Sequence, residues 1–99
     1  MDLTEKFKAL ADPTRRRILA LLQVDDLAAG AIADEFDISK PSISHHLRVL
    51  KQAGLVTSRR DGQRVIYAID TTVLQDLTRW MLDFSSPEHA ETALEGGNE

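Results

Sequence analysis

The sequence predicts one mainly α-helical domain with a small β-hairpin, in the order α-α-α-α-β-β-α, over residues 1–85. Three observations predict this fold class. Apolar residues recur at helical spacing through the first half of the chain. Between residues 55 and 69 the period changes to two, on either side of Asp61-Gly62, a strong hairpin signal. Helical spacing then returns over residues 70–84, so the hairpin lies between helices.

The first two helices are predicted from apolar spacing and from a capping signal. Spacing of i, i+4 and i+7 predicts a short helix whose apolar face is formed by Leu3, Phe7 and Leu10. Asp12-Pro13 then begins a second helix, because Asp is a favoured N-cap and Pro is tolerated in the first turn. This helix is expected to run from Pro13 to about Gln23. Its inward side chains are predicted to be Ile18, Leu21 and Leu22, with Leu19 beside them.

A short third helix and a longer fourth helix follow. The third is predicted over about residues 28–36, with Ile32 and Phe36 inward. After a tight connection, Ser39 is the predicted N-cap of the fourth helix. Gly54 ends it, because glycine accepts the left-handed conformation. The inward face of the fourth helix consists of Ile43, Leu47 and Leu50.

Two strands rich in β-branched and aromatic residues are predicted over residues 55–59 and 64–69. Because two strands alone are marginally stable in water, this hairpin must pack against the helices. A last helix is predicted from about Asp70. Its apolar side chains are Val73, Leu74, Leu77, Trp80, Met81 and Phe84. Residues 86–99 are rich in Glu and Gly and are expected to form an acidic, poorly ordered tail.

The distribution of charge along the sequence says more about binding partners than the net charge of the chain does. The whole chain carries a net charge of −4. The stretch from Ser39 to Tyr67 holds six basic side chains and one acidic one, a net charge of +5, so the rest of the chain carries −9. Binding to phosphates needs positive charge on one face and not over the whole molecule. Charge alone also fits a solvated surface with unevenly placed side chains.

Several classes of protein are excluded by what the sequence lacks. The absence of cysteine excludes disulfides, zinc-thiolate sites and thiol redox sensing. The sequence contains no catalytic triad, no Gly-rich phosphate loop and no metal-binding cluster, so we expect neither an enzyme nor a cofactor. No apolar run approaches the roughly 18 residues of a membrane span, and no secretion signal opens the chain. We therefore expect a cytoplasmic protein.

The order of a short helix, a tight turn, a polar-faced helix and a basic hairpin predicts a winged helix-turn-helix. In this motif the second helix enters the major groove of DNA and the hairpin forms a wing. Small polar side chains allow the helix to approach base edges, and the predicted readers are Ser42, Ser44 and His45. Predicted phosphate contacts on the same helix are Lys40, Arg48 and Lys51. The wing is predicted to contact the backbone or the minor groove through Arg59, Arg60, Gln63 and Arg64.

Three further features allow more than one interpretation: His46, the arginines at residues 15–17, and the apolar surface of the first and last helices. His46 lies nearer the apolar face than His45, which favours a packed histidine over a DNA contact. The side chains of residues 15–17, three arginines, either touch the DNA backbone or pair with acidic residues. The first and last helices carry more apolar surface than a small monomer needs, which predicts a homodimer. The predicted interface consists of Leu3, Phe7, Leu10, Leu77, Trp80, Met81 and Phe84.

Four stretches of the chain resemble the ArsR family of winged-helix repressors. They are DPTRRRIL (12–19), ISKPSISHHL (38–47), LKQAGLV (50–56) and RRDGQRVIY (59–67). The strings TTVLQD and WML in the last helix are similar to the SdpR-type autorepressor branch of that family. The resemblance covers nearly all of the chain from Phe7 to Phe84.

The resemblance implies a dimer that pairs through its first and last helices and binds an imperfect palindrome in double-stranded DNA. The family's base-reading positions fall on Lys40, Pro41, Ser42, Ser44 and His45, and its wing contacts on Arg59, Arg60, Gln63 and Arg64. The branch also implies control of the protein's own operon, and an anti-repressor or membrane-protein partner. The sequence departs from metal-sensing members, since residues 27–33 and 71–84 lack their Cys and His ligands. An alternative reading is a winged-helix module that binds another protein, which the acidic balance of the chain favours.

Overall fold

The computed structural model describes residues 3–85. The elements follow one another in the predicted order, with one extra strand. They are α1 (Leu3–Leu10), α2 (Pro13–Val24), β1 (Leu27–Ala28), α3 (Ala29–Asp34), α4 (Lys40–Gln52), β2 (Val56–Asp61), β3 (Arg64–Ile69) and α5 (Thr71–Ser85). The fold is therefore a mainly helical winged helix-turn-helix with a small antiparallel sheet. The predicted acidic tail, residues 86–99, lies outside the described residues.

The predicted capping residues begin their helices. The side chain of Asp12 accepts a hydrogen bond from the backbone N–H of Arg15 at 3.0 Å, with a proline in the first turn of α2. Ser39 does the same for α4, accepting from the N–H of Ser42 at 3.3 Å. These bonds satisfy N–H groups that have no partner within the helix. Local sequence signals therefore set the start of α2 and the start of α4, the second helix of the helix-turn-helix.

The end of α4 is a Schellman motif. Gly54 has a φ of +80°, and its N–H donates to the carbonyl of Lys51 at 3.0 Å. The N–H of Leu55 donates to the carbonyl of Leu50 at 3.0 Å, which completes the pair of bonds that defines the motif. Glycine favours this conformation because other residues are strained at positive φ. The chain thus leaves α4 directly into β2.

The core lies where α2, α3 and α4 meet the sheet and the first half of α5. Its buried apolar side chains include Ile18, Leu19, Leu22, Ile32, Ile43, Leu47, Leu50, Leu55, Val56, Ile66 and Leu77. The inward residues predicted for α4 are all buried. In α2, Leu19 is buried and Leu21 only half-buried, because the helix packs on a face turned slightly from the predicted one.

The sheet has three antiparallel strands in the order β1-β3-β2, where two were predicted. In β1, Leu27 pairs with Tyr67 and Ala28 pairs with Ile66. Two residues are too few to show alternation, so the sequence does not predict this strand. It forms where an edge of β3 is free to pair with it. β1 joins the helix-turn-helix to the hairpin, since α3 starts at the next residue.

The hairpin turn lies one residue later than predicted. Asp61 pairs with Arg64 in the ladder, so the two loop residues are Gly62 and Gln63. Gly62 has a φ of +67°, while no described residue other than glycine has a positive φ. A positive φ at the first loop position alone is the pattern of a type II′ turn, which places glycine there. Asp61 is therefore the last strand residue and not part of the turn.

Candidate nucleic-acid interface

The face of α4 that points away from the core carries the predicted DNA contacts. Ile43, Leu47 and Leu50 face inward and are buried. The exposed side chains on the other side include Lys40, Pro41, Ser42, Ser44, His45, Arg48 and Lys51. This face combines hydroxyls, an imidazole and basic groups, which are the donors that base edges and phosphates accept.

Ser42 is oriented for donation by the N-cap. The hydroxyl of Ser39 donates to the hydroxyl oxygen of Ser42 at 2.9 Å. That bond occupies a lone pair of Ser42 and leaves its own O–H proton unused. The first turn of α4 therefore presents a hydroxyl donor near its N-terminus, the part of a recognition helix that contacts base edges.

Lys51 ties the end of α4 to the wing. Its ammonium group donates to the hydroxyl of Ser58 at 2.6 Å, from the last turn of α4 to the middle of β2. An ammonium group has three N–H donors, so two remain for a phosphate. Sequence reasoning missed this contact, because Ser58 carries no local signal of its partner. The bond holds the wing and the recognition helix in one fixed relation.

The wing arginines differ in how they are held. Arg59 forms an ion pair with Asp26 in the connection between α2 and β1, with Nη1 and Oδ2 at 3.2 Å. Strand alternation places Arg59 and Arg64 on one face of the hairpin and Arg60 on the other, the face of Ser58. The side chains of Arg60, Arg64 and Gln63 are exposed and form no hydrogen bond or ion pair within residues 3–85. Over the same residues, the exposed wing cations without a side-chain partner are thus Arg60 and Arg64.

The side chains of the three arginines of α2 donate hydrogen bonds to backbone carbonyl oxygens. The sequence predicts that they contact either the DNA backbone or acidic side chains. Arg15 donates to the carbonyls of Ala9 and Lys8, and Arg16 donates to that of Leu10 at 2.8 Å. Arg17 donates to the carbonyl of Glu35 at 3.0 Å and lies over the ring of Phe36. The carbonyls at helix ends lack helical partners, so these arginines cap α1 and α3.

His46 is packed within the subunit, as the sequence favours. Its side chain is 16% exposed, and its Nδ1 lies 3.2 Å from Nη1 of Arg15 and 3.9 Å from Oδ2 of Asp12. The backbone hydrogen bond from Arg15 lowers the pKa of Asp12 below its usual range, against the opposing effect of burial, and the positive charge of Arg15 lowers it further. Asp12 therefore stays ionised beside the recognition helix.

Comparison with known proteins decides the family. Residues 10–59 match a family model described as a helix-turn-helix domain. The chain is 59% identical over 78 residues to the transcriptional repressor SdpR of Bacillus subtilis, an alignment that covers 79% of this chain and 87% of SdpR. The chain belongs to the ArsR family of winged helix-turn-helix transcriptional repressors. The proteins of this family are DNA-binding regulators and not enzymes.

Two solved structures of ArsR-type proteins have the same fold. An ArsR-like transcriptional regulator from Rhodococcus sp. RHA1 superposes with a TM-score of 0.83 at 28% identity, over 96% of this chain and 87% of that one. The homodimeric winged helix-turn-helix domain of Mb0332 from Mycobacterium bovis superposes with a TM-score of 0.66 at 31% identity, over 83% and 82% of the two chains. The wing and recognition helix of this ArsR chain therefore have the family arrangement.

The ArsR fold also leaves an apolar patch on α1 and α5, formed by Phe7, Trp80, Met81 and Phe84. Trp80 links the two helices, since its ring centroid lies 5.5 Å from that of Phe7 and 4.8 Å from that of Phe84. The exposed fraction rises along α5, from 39% at Trp80 to 47% at Met81 and 71% at Phe84. Leu82, which was not predicted to lie at an interface, is also exposed.

Three residues of the predicted interface pack against the subunit's own core, and the interface itself stays a prediction. Leu77 is 2% exposed, and Leu3 and Leu10 are partly buried against the core. The first half of α5 packs on the core through Val73, Leu74 and Leu77, whereas Trp80, Met81 and Phe84 lie beyond it.

Residues 3–85 contain neither a cluster of metal ligands nor a membrane-spanning helix. No three His, Cys, Asp or Glu side chains in this range lie close enough together to hold a metal ion. No helix in this range is long and apolar enough to cross a membrane.

Proposed function

We propose that this protein is a homodimeric repressor that binds an imperfect palindrome, with α4 of each subunit in a major groove and each wing on the adjacent backbone. The observation that carries the proposal is the exposed face of α4. It places hydroxyl, imidazole and basic groups on one side of a helix whose other side is buried. This arrangement matches a recognition helix that contacts DNA without disturbing its own core.

The side chains of this face divide into two roles. Ser42, Ser44 and His45 are short enough to reach base edges and to discriminate between base pairs. Lys40 and Arg48 are longer and are suited to phosphates, as are Arg60 and Arg64 on the wing. Pro41 lies in the first turn of α4, where its lack of an N–H leaves no helical hydrogen bond unmade.

Dimerisation is supported by the apolar patch on α1 and α5. Exposed aromatic and Met side chains in a continuous row are typical of an interface between subunits. The Mb0332 domain, which has the same fold, is described as homodimeric. A two-fold dimer presents two copies of α4, which fits a palindromic site.

We further propose that the protein acts in the cytoplasm and controls its own operon, with release by an anti-repressor or membrane-protein partner. The similarity to SdpR, which is named a transcriptional repressor, supports the repressor role. Autoregulation and the partner are inferred from the resemblance to the SdpR-type branch alone. A pull-down with the tagged repressor, in the presence and absence of operator DNA, would detect such a partner. A partner that competes with DNA would be recovered only in the absence of the operator.

The proposal is tested by fluorescence-anisotropy titration of the purified protein with its own upstream DNA and with a scrambled duplex, across a salt series. A specific regulator binds the upstream duplex on the order of 10³-fold more tightly than the scrambled one. Equal and steeply salt-dependent binding to both would mean that the operator lies elsewhere and that autoregulation is wrong. Absence of binding to either at low salt would refute the repressor and favour the module that binds another protein.

A further inference from the structure

The guanidinium group of Arg15 joins two helices behind the recognition face. Nε and Nη2 donate to the carbonyls of Ala9 and Lys8 at 2.7 and 3.0 Å, and Nη1 lies 3.2 Å from Nδ1 of His46. A guanidinium group has N–H donors and no acceptor, so Nδ1 of His46 must accept this bond.

This bridge is rigid because a guanidinium group is planar and its donors point in fixed directions. Two of its bonds hold the plane against the last turn of α1. The third then fixes one point of α4 relative to α1. A lysine at position 15 would keep the charge but would lack the fork that binds both helices at once.

The point that is fixed lies beside the base-reading side chains. His46 follows Ser44 and His45 in α4, and the rings of His45 and His46 lie 5.6 Å apart. His46 is mostly buried while His45 is exposed. A rotation of α4 that released His46 would therefore redirect His45. On the other side of the bridge, α1 carries Phe7 of the apolar patch.

We propose that Arg15 and His46 are positioning residues for DNA recognition, which fasten α4 to the C-terminal end of α1. Pairing of two subunits through α1 then sets the direction in which Ser44 and His45 of each subunit face the bases. This role rests on the proposed repressor function. It connects the pairing of subunits through α1 with the base contacts made by α4. Neither residue touches DNA in this scheme.

The test uses three variants and a duplex that the wild-type protein selects from a random-sequence pool, with a scrambled version as the second probe. His46→Ala and Arg15→Lys are expected to weaken binding to the selected duplex by about tenfold, because they misdirect His45 and so weaken a base contact of about that worth. Binding to the scrambled duplex should change by less than about twofold, since phosphate contacts carry it. His46→Asn should retain most of the specific affinity, because its amide oxygen replaces the Nδ1 acceptor.

The controls separate positioning from general packing. Circular dichroism and sedimentation confirm that each variant is folded and has the wild-type association state at the assay temperature. Equal loss on both duplexes, or equal loss for the Asn and Ala variants, would overturn the positioning role. A wild-type protein that selects no sequence refutes the repressor and this role together. If the wild-type protein discriminates between the two duplexes and the His46→Ala variant discriminates equally well, the positioning role alone is refuted.

Discussion

Replacing Arg60 with glutamine is expected to weaken binding to every DNA duplex equally and to reduce the salt dependence of that binding. Arg60 is exposed on the wing and forms no ion pair within residues 3–85. Its charge is therefore available to a phosphate. Because phosphates are the same in every sequence, the loss should not alter discrimination between duplexes.

The size of the effect follows from counterion release. Each phosphate contact contributes about 0.9 to the slope of log affinity against log salt, so two wings of a dimer contribute about 1.8. As salt rises from about 50 to 200 mM, a slope change of about 1.8 reduces the ratio of wild-type affinity to variant affinity by about twelvefold. The neighbouring Arg59→Gln variant removes the same charge and is the matched control. Its slope change should be less than half as large, because Asp26 already neutralises Arg59 at 3.2 Å.

The assay is an anisotropy titration of wild type and both variants with two duplexes of unrelated sequence at several salt concentrations. Circular dichroism confirms that the variants are folded. Equal slope changes for Arg59→Gln and Arg60→Gln would refute the reasoning that Asp26 keeps Arg59 from phosphates. An unchanged slope for Arg60→Gln would show that this face of the wing does not contact DNA phosphates.

Three further outcomes are expected. His45→Ala should reduce discrimination between operator and scrambled DNA by about 1–3 kcal/mol, the usual worth of one base contact, in paired titrations; equal loss on both duplexes would contradict a base-reading role. Trp80→Ala should shift the monomer–dimer equilibrium toward monomer in sedimentation at micromolar concentration, because it removes the central ring of the apolar patch; Arg79→Ala, an exposed neighbour on α5, is the control and should not. Asp12→Ala should lower the free energy of unfolding by about 1 kcal/mol at neutral pH, since it removes an N-cap. The pKa of Asp12 is lowered by folding, so its charge stabilises the fold above the unfolded value of 3.8 and this contribution is lost as pH falls through the folded value. Asp12→Asn keeps the cap but not the charge, so urea unfolding should show its difference from wild type disappearing in acid; a difference independent of pH would contradict the assignment.

Much of the fold could be predicted because its signals are local. The Asp12 and Ser39 caps, the glycine at position 54 and the apolar spacing of α4 each depend on a few consecutive residues. The exposed face of α4 follows from the same spacing, since the buried stripe determines which side chains remain outside. The class of fold and the composition of the recognition face were therefore available from the sequence alone.

What the sequence could not predict depends on partners distant in the chain. The strand β1 forms because β3 lies beside it, and the sequence of Leu27 and Ala28 carries no alternation. The ion pair of Arg59 with Asp26 joins residues 33 positions apart. Leu77 and Phe84 share one apolar stripe of α5, and only the extent of the core shows that the first is buried and the second exposed.

The outer half of α5 has a consequence for how a gene would respond to the amount of this repressor. Phe84 and Met81 extend beyond the core, and in the proposed dimer they would give the second subunit a narrow surface to bind. A dimer that depends on such a surface dissociates on dilution. Since a palindrome needs two subunits, its occupancy then rises with the square of the subunit concentration. A promoter under this control would respond more steeply to the amount of protein than a promoter that is bound by a stable, preformed dimer.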